Sequence, residues 1–150
     1  MVSHPQNKKM NTEEKTKDRK VILSTLWIFV TLNYLYCDVL SLMSPEMLTS
    51  LIETGGVAGI NMNEMTLLIA GVIMEISIAM VLLSRVLKYK INRMANIVAG
   101  SIKTAIMIGT LLMGGASYHY MFFAAIEIPT TIFIVWYAWT WIEAKTNQKI

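Results

Sequence analysis

The chain has 150 residues, of which 55% are hydrophobic and 15% are charged, and its formal net charge is +3 at pH 7. Soluble domains carry roughly a quarter charged residues and just under half apolar residues, so the apolar excess indicates a lipid bilayer as the surrounding solvent. This composition excludes a soluble enzyme, a nucleic-acid-binding domain and a disordered tail protein.

Four long apolar segments follow a polar N-terminal stretch, residues 1–20, which we expect to form a cytoplasmic tail. A helix rises about 1.5 Å per residue, so about 20 apolar residues cross a hydrocarbon core of about 30 Å. Backbone groups in lipid must be paired within the helix. The predicted spans cover residues 21–43, 65–87, 94–116 and 120–143, and residues 144–150 form a second cytoplasmic tail. The sequence therefore predicts an all-α polytopic membrane protein, built as an antiparallel four-helix bundle.

Segments that contain several Lys and Arg residues alternate along the chain with segments that contain none. Lys and Arg are frequent before the first span, and again between the second and third spans, where Arg85, Lys88, Lys90 and Arg93 lie. The connection 44–64 contains three glutamates and neither Lys nor Arg. Because positively charged loops stay in the cytoplasm, we expect both termini there. The compact size favours a bacterial inner membrane.

The first connection carries the signals of a short helix on the outer surface. Ser44-Pro45-Glu46 supplies a capping residue, a proline for the first turn and an acid at the positive helix end. Gly55-Gly56 supplies a C-terminal stop, so the helix is predicted at about Pro45–Thr54. Asn61 and Glu64 have the spacing of a capping box that begins the second span.

Polar side chains inside the predicted spans are the candidates for a functional role. An ionisable group near the bilayer centre costs several kcal/mol and faces the bundle interior or water. At helical spacing these groups share faces with other polar or small residues, and the four faces predict one outward-facing polar cavity. The predicted lining residues are Asn33, Tyr34, Asp38, Glu75, Lys103 and Glu127. At the inner side, Arg85 and the group Asn92, Arg93 and Asn96 are expected to anchor the surface and to cap the third span, with binding of lipid headgroups or of a cytoplasmic partner as the alternative.

Three carboxylates in this predicted cavity face one ammonium, so full ionisation would leave a net charge of −2. We expect that one or two carboxyls are protonated and that Lys103 pairs with Glu75 or Glu127. Such a cavity suits the binding or movement of a small ligand or of protons. The same groups can instead serve only as polar contacts between helices.

Other chemistries lack the residues that they need. Cys37 is the single cysteine, and His4 and His119 are the only histidines, which excludes a dithiol, a thiolate metal site and a haem held by paired histidines. No nucleophile lies at a useful spacing, so we predict no catalytic residue, cofactor or metal. An external metal site of His119, Asp38 and Glu127 is a minor alternative. The expected partners are the bilayer, a small molecule or protons, and a second copy or another membrane subunit, but not nucleic acid.

Three short motifs accompany the four helices. Met74-Glu75-Ile76 lies in the second span, Leu82-Leu83-Ser84-Arg85 follows it, and Ser44-Pro45-Glu46 lies in the outer segment. Together they resemble the DoxX-like group of small bacterial membrane proteins, over about residues 21–143. The glycine-rich first helix of that group is replaced by residues 33–38, so the resemblance is to an uncharacterised branch.

That resemblance implies an alternative function, a structural or accessory subunit of a membrane complex such as a quinone-linked redox complex. A small multidrug exporter has a similar length and helix number. Its essential glutamate belongs in the first helix, where this chain has Asn33 and Asp38. We therefore rank an exporter below the other two possibilities.

Overall fold

Long helices make up most of the chain in this computed structural model, which describes residues 5–57, 59–112 and 117–142, with side chains from residue 14 onward. The elements are α1 (Pro5–Leu42), α2 (Pro45–Thr54), β1 (Gly56–Val57), β2 (Ile60–Asn61), α3 (Glu64–Val86), α4 (Tyr89–Leu112) and α5 (Tyr118–Trp139). The Glu14–Leu42 part of α1 and the whole of α3, α4 and α5 are long and apolar enough to cross a membrane. The described residues thus form an all-helical, multi-pass membrane protein with one small hairpin.

The helix bounds differ from the predicted spans at α1, which begins at Pro5, well before Val21. Proline is accepted at the first helical position, and the Lys, Glu, Gln and Arg residues that follow are good helix formers. The helix therefore continues through the polar stretch that precedes the apolar span. The predicted tail 144–150 and the predicted end of the third span, 113–116, lie outside the described residues.

The short helix α2 lies where the capping and stop signals predict it. Pro45 occupies its first turn and Glu46 provides the acid near its N-terminus. Gly55 ends it with a φ of 67°, a left-handed conformation that glycine adopts at little cost, and its N–H donates to the carbonyl of Leu51. β1 and β2 then pair as an antiparallel hairpin in which Gly56 lies opposite Asn61.

The predicted capping box of Asn61 and Glu64 is wrong. Asn63 caps α3 instead, because its Oδ1 accepts a hydrogen bond from the backbone N–H of Thr66 at 2.9 Å. Asn61 is held in the hairpin by pairing with Gly56, so its side chain is displaced from the start of the helix.

Side-chain hydrogen bonds show how α1 and α5 run relative to each other. Arg19 near the start of the apolar part of α1 donates to the carbonyl of Tyr137 at 3.1 Å, near the end of α5. At the other extreme, Ser41 Oγ lies 3.0 Å from His119 Nε2, at the start of α5. The two helices are therefore antiparallel, and we call the end that holds Ser41 and His119 the α2 end.

Helix α1 packs against α3 and α5, and α4 packs mainly against α5. The contact between α4 and α5 is close at Gly100, where an added Cβ would lie 2.7 Å from Val135 Cγ2 and 3.4 Å from the carbonyl of Thr131. One turn later, Thr104 Oγ1 donates to Thr131 Oγ1 at 2.8 Å. This contact sets α4 against α5 directly beside Lys103.

The half of the helices away from the α2 end holds the apolar core together with a buried hydrogen-bond network. The core residues there include Leu23, Trp27, Ile134, Ala138 and Trp141. The network centres on Asn96, whose Oδ1 accepts from Trp27 Nε1 at 2.7 Å and from Ser84 Oγ at 3.2 Å. Asn96 Nδ2 donates to Asn92 Oδ1 at 2.7 Å, and Asn92 Nδ2 donates to the carbonyl of Ser84 at 2.6 Å. The network thus joins α1, α3 and α4.

The prediction that Asn92 and Asn96 anchor the inner surface and cap the third span is therefore wrong. Both side chains are fully buried, and α4 begins at Tyr89, before either of them. Amide side chains in a dry interior need all their hydrogen-bond partners, and here they find them on neighbouring helices.

Replacing Asn96 by alanine removes the centre of this network and leaves Trp27 Nε1 and Asn92 Oδ1 without their present partner. We expect the variant to lose about 1–3 kcal/mol of stability, since a buried polar group left unsatisfied costs about that much. Thermal unfolding of the purified protein in detergent measures this loss. Val98→Ala, which shortens an exposed side chain on the same helix, is the matched control. Equal stability of the two variants would contradict the assigned role of Asn96.

Candidate functional site

Four of the predicted site residues come together toward the α2 end. Tyr34 and Asp38 lie one turn apart on α1, Lys103 lies on α4 and Glu127 lies on α5. Asp38 is exposed, whereas Tyr34, Lys103 and Glu127 are 6%, 5% and 1% exposed. The charges of Glu127 and Asp38 both act on Lys103, and they act on each other. We call these four residues the charged cluster.

Lys103 has few direct contacts for a buried ammonium. Its Nζ lies 4.0 Å from the centre of the Tyr34 ring, and its one hydrogen bond within the described residues is a long one of 3.5 Å to the carbonyl of Ile73. A lysine ammonium has three N–H donors, so two of them remain for other acceptors. The face of an aromatic ring attracts a cation, and this attraction holds the ammonium over Tyr34.

Glu127 has still fewer contacts. Both carboxyl oxygens are buried, and no residue in the described ranges donates a hydrogen bond to either of them. The hydroxyl of Tyr34 is likewise buried and has no partner among those residues. A buried polar group without a partner loses its hydration and gains nothing in return, so such groups are rare in folded proteins. Among the described residues, the carboxyl of Glu127 and the phenol of Tyr34 are therefore the two groups of the cluster that are buried without a hydrogen-bond partner.

The backbone around Glu127 is adapted to a proline. Pro129 lies inside α5 and has no N–H, so the helix lacks the bond that this group would make to the carbonyl of Ala125. Two threonines then bind carbonyls of the same turn: Thr131 Oγ1 donates to the carbonyl of Glu127 at 3.1 Å, and Thr130 Oγ1 donates to that of Ile126 at 2.7 Å. These threonines use backbone acceptors and leave the carboxyl of Glu127 free.

Further polar side chains lie between the charged cluster and the α2 end. His119 lies 3.0 Å from Ser41 Oγ through Nε2 and 3.0 Å from Ser117 Oγ through Nδ1. Tyr120 Oη lies 2.6 Å from Thr110 Oγ1. Within the described part of the chain, no group of three or more His, Cys, Asp or Glu side chains is arranged to hold a metal ion. The histidine of the alternative metal site is thus hydrogen-bonded to serines of α1 and of the turn before α5.

The structure leaves Asn33 and Glu75 outside the charged cluster. Asn33 Nδ2 donates to the carbonyl of Phe29 on its own helix at 2.8 Å. Glu75 is exposed, because α3 packs against α1 through the opposite face, on which Ser77, Met80 and Ser84 are buried. With 3.6 residues per turn, two residues separate Glu75 from Ser77 by roughly half a turn. The expected pairing of Lys103 with Glu75 is absent from the described contacts, since Lys103 donates to the carbonyl of Ile73.

Two further residues near the charged cluster are not among those that the sequence predicts for the site. Cys37 is buried beside Asp38, and Tyr120 on α5 lies within electrostatic range of Asp38 and Glu127. Cys37 lies one turn after Tyr34 and one turn before Ser41, so helical spacing places it on the same face of α1 as these polar residues.

Four helices long and apolar enough to cross a membrane define the chain as a small multi-pass membrane protein. Residues 10–148 match the family of unknown function DUF6326, and the chain belongs to that family. Comparisons with curated proteins and with solved structures give no match. The family match does not link the chain to the DoxX-like group.

Proposed function

We propose that the chain is an inner-membrane protein with both termini in the cytoplasm, whose charged cluster binds or moves a proton or a small ligand that arrives from the outer side. In this proposal the helices form an antiparallel bundle with α2 on the outer surface. The positive charges at the end of α3, in the turn and at the start of α4, together with the absence of Lys and Arg from residues 44–64, support this orientation. The cluster then lies in the outer half of the membrane, with the exposed Asp38 nearest to the outside.

The observation that carries the proposal is the carboxyl of Glu127, which is buried and accepts no hydrogen bond from the described residues. A carboxylate that served only to join helices would be paired, because an unpaired buried charge is strongly destabilising. A carboxyl that exchanges partners during function has to be free in one of its states. The unpaired carboxyl of Glu127 has the surroundings expected of a group that exchanges partners.

The charge of the cluster indicates which ligands it accepts. Asp38 and Glu127 contribute two negative charges when ionised and Lys103 contributes one positive charge, which leaves a net charge of −1. A low-dielectric interior disfavours this excess charge. One proton or one small cation neutralises it, so a proton is the simplest ligand of the site.

Replacing Glu127 by glutamine keeps the shape of the side chain and removes its ability to exchange a proton. In liposomes that contain a pH-sensitive dye, with a potassium diffusion potential across the membrane, we expect wild-type protein to raise proton uptake above that of protein-free liposomes. We expect Glu127→Gln to reduce uptake to the protein-free rate. Glu75→Gln is the matched control, since Glu75 is a carboxyl of the same membrane-spanning region that lies outside the cluster.

Proton uptake by Glu127→Gln at the wild-type rate, in protein that is correctly assembled, would contradict this role. Thermal unfolding of both variants in detergent checks their assembly. A wild-type protein that does not raise proton uptake would contradict proton movement in particular.

A second candidate function, an accessory subunit of a membrane complex, is favoured by the position of Glu75. This carboxyl is exposed near the middle of α3, and Gly71 one turn earlier has no neighbour within 4 Å of an added Cβ. A lipid-facing carboxylate is costly, and small residues allow another helix to approach closely. A partner subunit or a second copy that covers this face would remove the cost. The DoxX-like resemblance makes a quinone-linked redox complex one form of this proposal.

If a partner covers Glu75, the protein extracted in mild detergent has a mass above that of the monomer, and Glu75→Leu alters that assembly. Native mass spectrometry measures the mass of the assembly directly. Ile69→Ala is the control, because Ile69 is an exposed residue on a different side of α3. A stable monomer with no partner in wild-type preparations would count against the accessory role.

A further inference from the structure

The ammonium of Lys103 lies in surroundings suited to recognise ammonium ions in general. The face of the Tyr34 ring is 4.0 Å away, the carbonyl of Ile73 is 3.5 Å away, and the carboxylates of Glu127 and Asp38 act on it at longer range. An aromatic face with nearby acceptors attracts organic cations, and the attraction is greater where water is excluded. Lys103 therefore occupies a position that a free alkylammonium ion of similar size would also favour.

The cluster retains binding capacity for a further cation. Both carboxyl oxygens of Glu127 are buried and accept no hydrogen bond from the described residues, so they offer acceptors for N–H donors. The two carboxylates exceed the one ammonium by a single charge. The titratable groups around the site are Tyr34, Cys37 and Asp38 of α1, Lys103 of α4, and Tyr120 and Glu127 of α5.

We infer that the charged cluster is a binding site for one small primary alkylammonium ion, which competes with the Lys103 ammonium for the face of Tyr34 and donates hydrogen bonds to Glu127. Lysine suits this competition because its four-carbon side chain is flexible and its ammonium can withdraw. The inference rests on the proposed function, since it names the class of ligand that the same cluster takes. A proton and the alkylammonium ion would then be alternative ways to neutralise the cluster.

The first test measures binding of n-propylammonium chloride to purified protein in detergent by isothermal titration calorimetry, with sodium chloride at equal ionic strength as the blank. Lys103→Met removes the tethered competitor and keeps an unbranched side chain. A tethered group competes at an effective concentration in the millimolar range, so we expect propylammonium to bind this variant about tenfold more tightly than wild type. Lys90→Met, at an exposed lysine near the start of the same helix, should bind like wild type.

The second test keeps Lys103 and removes the aromatic face, in case Lys103→Met does not fold. Tyr34→Leu should weaken propylammonium binding about fivefold relative to wild type, the effect expected from the loss of a desolvated cation–π contact. Tyr36→Leu, at an exposed tyrosine on the same helix, should leave binding unchanged.

Binding of propylammonium by Lys103→Met no tighter than by Lys90→Met would overturn the inference. So would equal binding by Tyr34→Leu and Tyr36→Leu. Failure of the proposed function is a separate result: if Glu127→Gln moves protons at the wild-type rate while propylammonium binds as expected, the ammonium site stands and proton handling is wrong. If Glu127→Gln abolishes proton uptake and propylammonium does not bind, the cluster handles protons and the ammonium site is wrong.

Discussion

A charged side chain within a membrane-spanning helix has lost water as a partner, so it must be neutralised by other groups of the protein or by a ligand. In this chain the charged cluster holds one lysine, Lys103, and two carboxylates, Asp38 and Glu127, so the lysine can balance only one of them. The close contact of α4 and α5 lies between Gly100 and Thr131, about one helical turn from Lys103 on α4 and from Glu127 on α5. The packing of the helices also brings the ring of Tyr34 on α1 within 4.0 Å of the Lys103 ammonium. The imbalance is therefore a product of how the helices pack.

Buried polar groups have hydrogen-bond partners in one half of the helices, whereas some of those in the other half have none. Away from the α2 end, Asn92 and Asn96 are fully buried and their amides are bound by Trp27, Ser84 and each other. Toward the α2 end, Glu127 and the Tyr34 hydroxyl are buried with no hydrogen-bond partner among the described residues. A satisfied network fixes helices in one arrangement, whereas unsatisfied groups leave affinity for something further. This contrast is the basis for assigning a structural role to the first set and for proposing a functional role for the second.

Much of the fold is predictable from the sequence because it depends on local rules. The length of each apolar segment and the signals around Ser44 and Gly55 identify the spans and α2. The capping residue of α3 is not predictable in this way, since the pairing of Asn61 in the hairpin depends on backbone contacts with Gly56. Composition also could not show that α1 continues upstream as a helix, because the boundary of an apolar segment is not the boundary of a helix.

The candidate site is predictable only in part. The cost of a buried charge singles out Asp38, Glu75, Lys103 and Glu127, but it does not state which way each helix is rotated. In α3, Ser77 and Ser84 lie on the buried face and Glu75 lies on the exposed face. This rotation of the helix depends on how it packs against α1. In the same way, the spacing of Asn92 and Asn96 shows that they share a face, but only their contacts with Trp27 and Ser84 show that the face is buried.

Infrared difference spectroscopy tests most directly whether the carboxyl of Glu127 exchanges protons with water, as the proposed function requires. The carbonyl stretch of a protonated carboxyl is resolved from the bands of the ionised form. We expect a band of the wild-type protein that appears and disappears reversibly with pH and is missing from Glu127→Gln. After transfer to D₂O, this band should already be shifted in the first spectrum that can be recorded. Two results would contradict this role: a pH-dependent band that is the same in Glu127→Gln and in wild type, or a Glu127 band in wild type that responds neither to pH nor to D₂O. Either result would show instead that Glu127 has only a structural role.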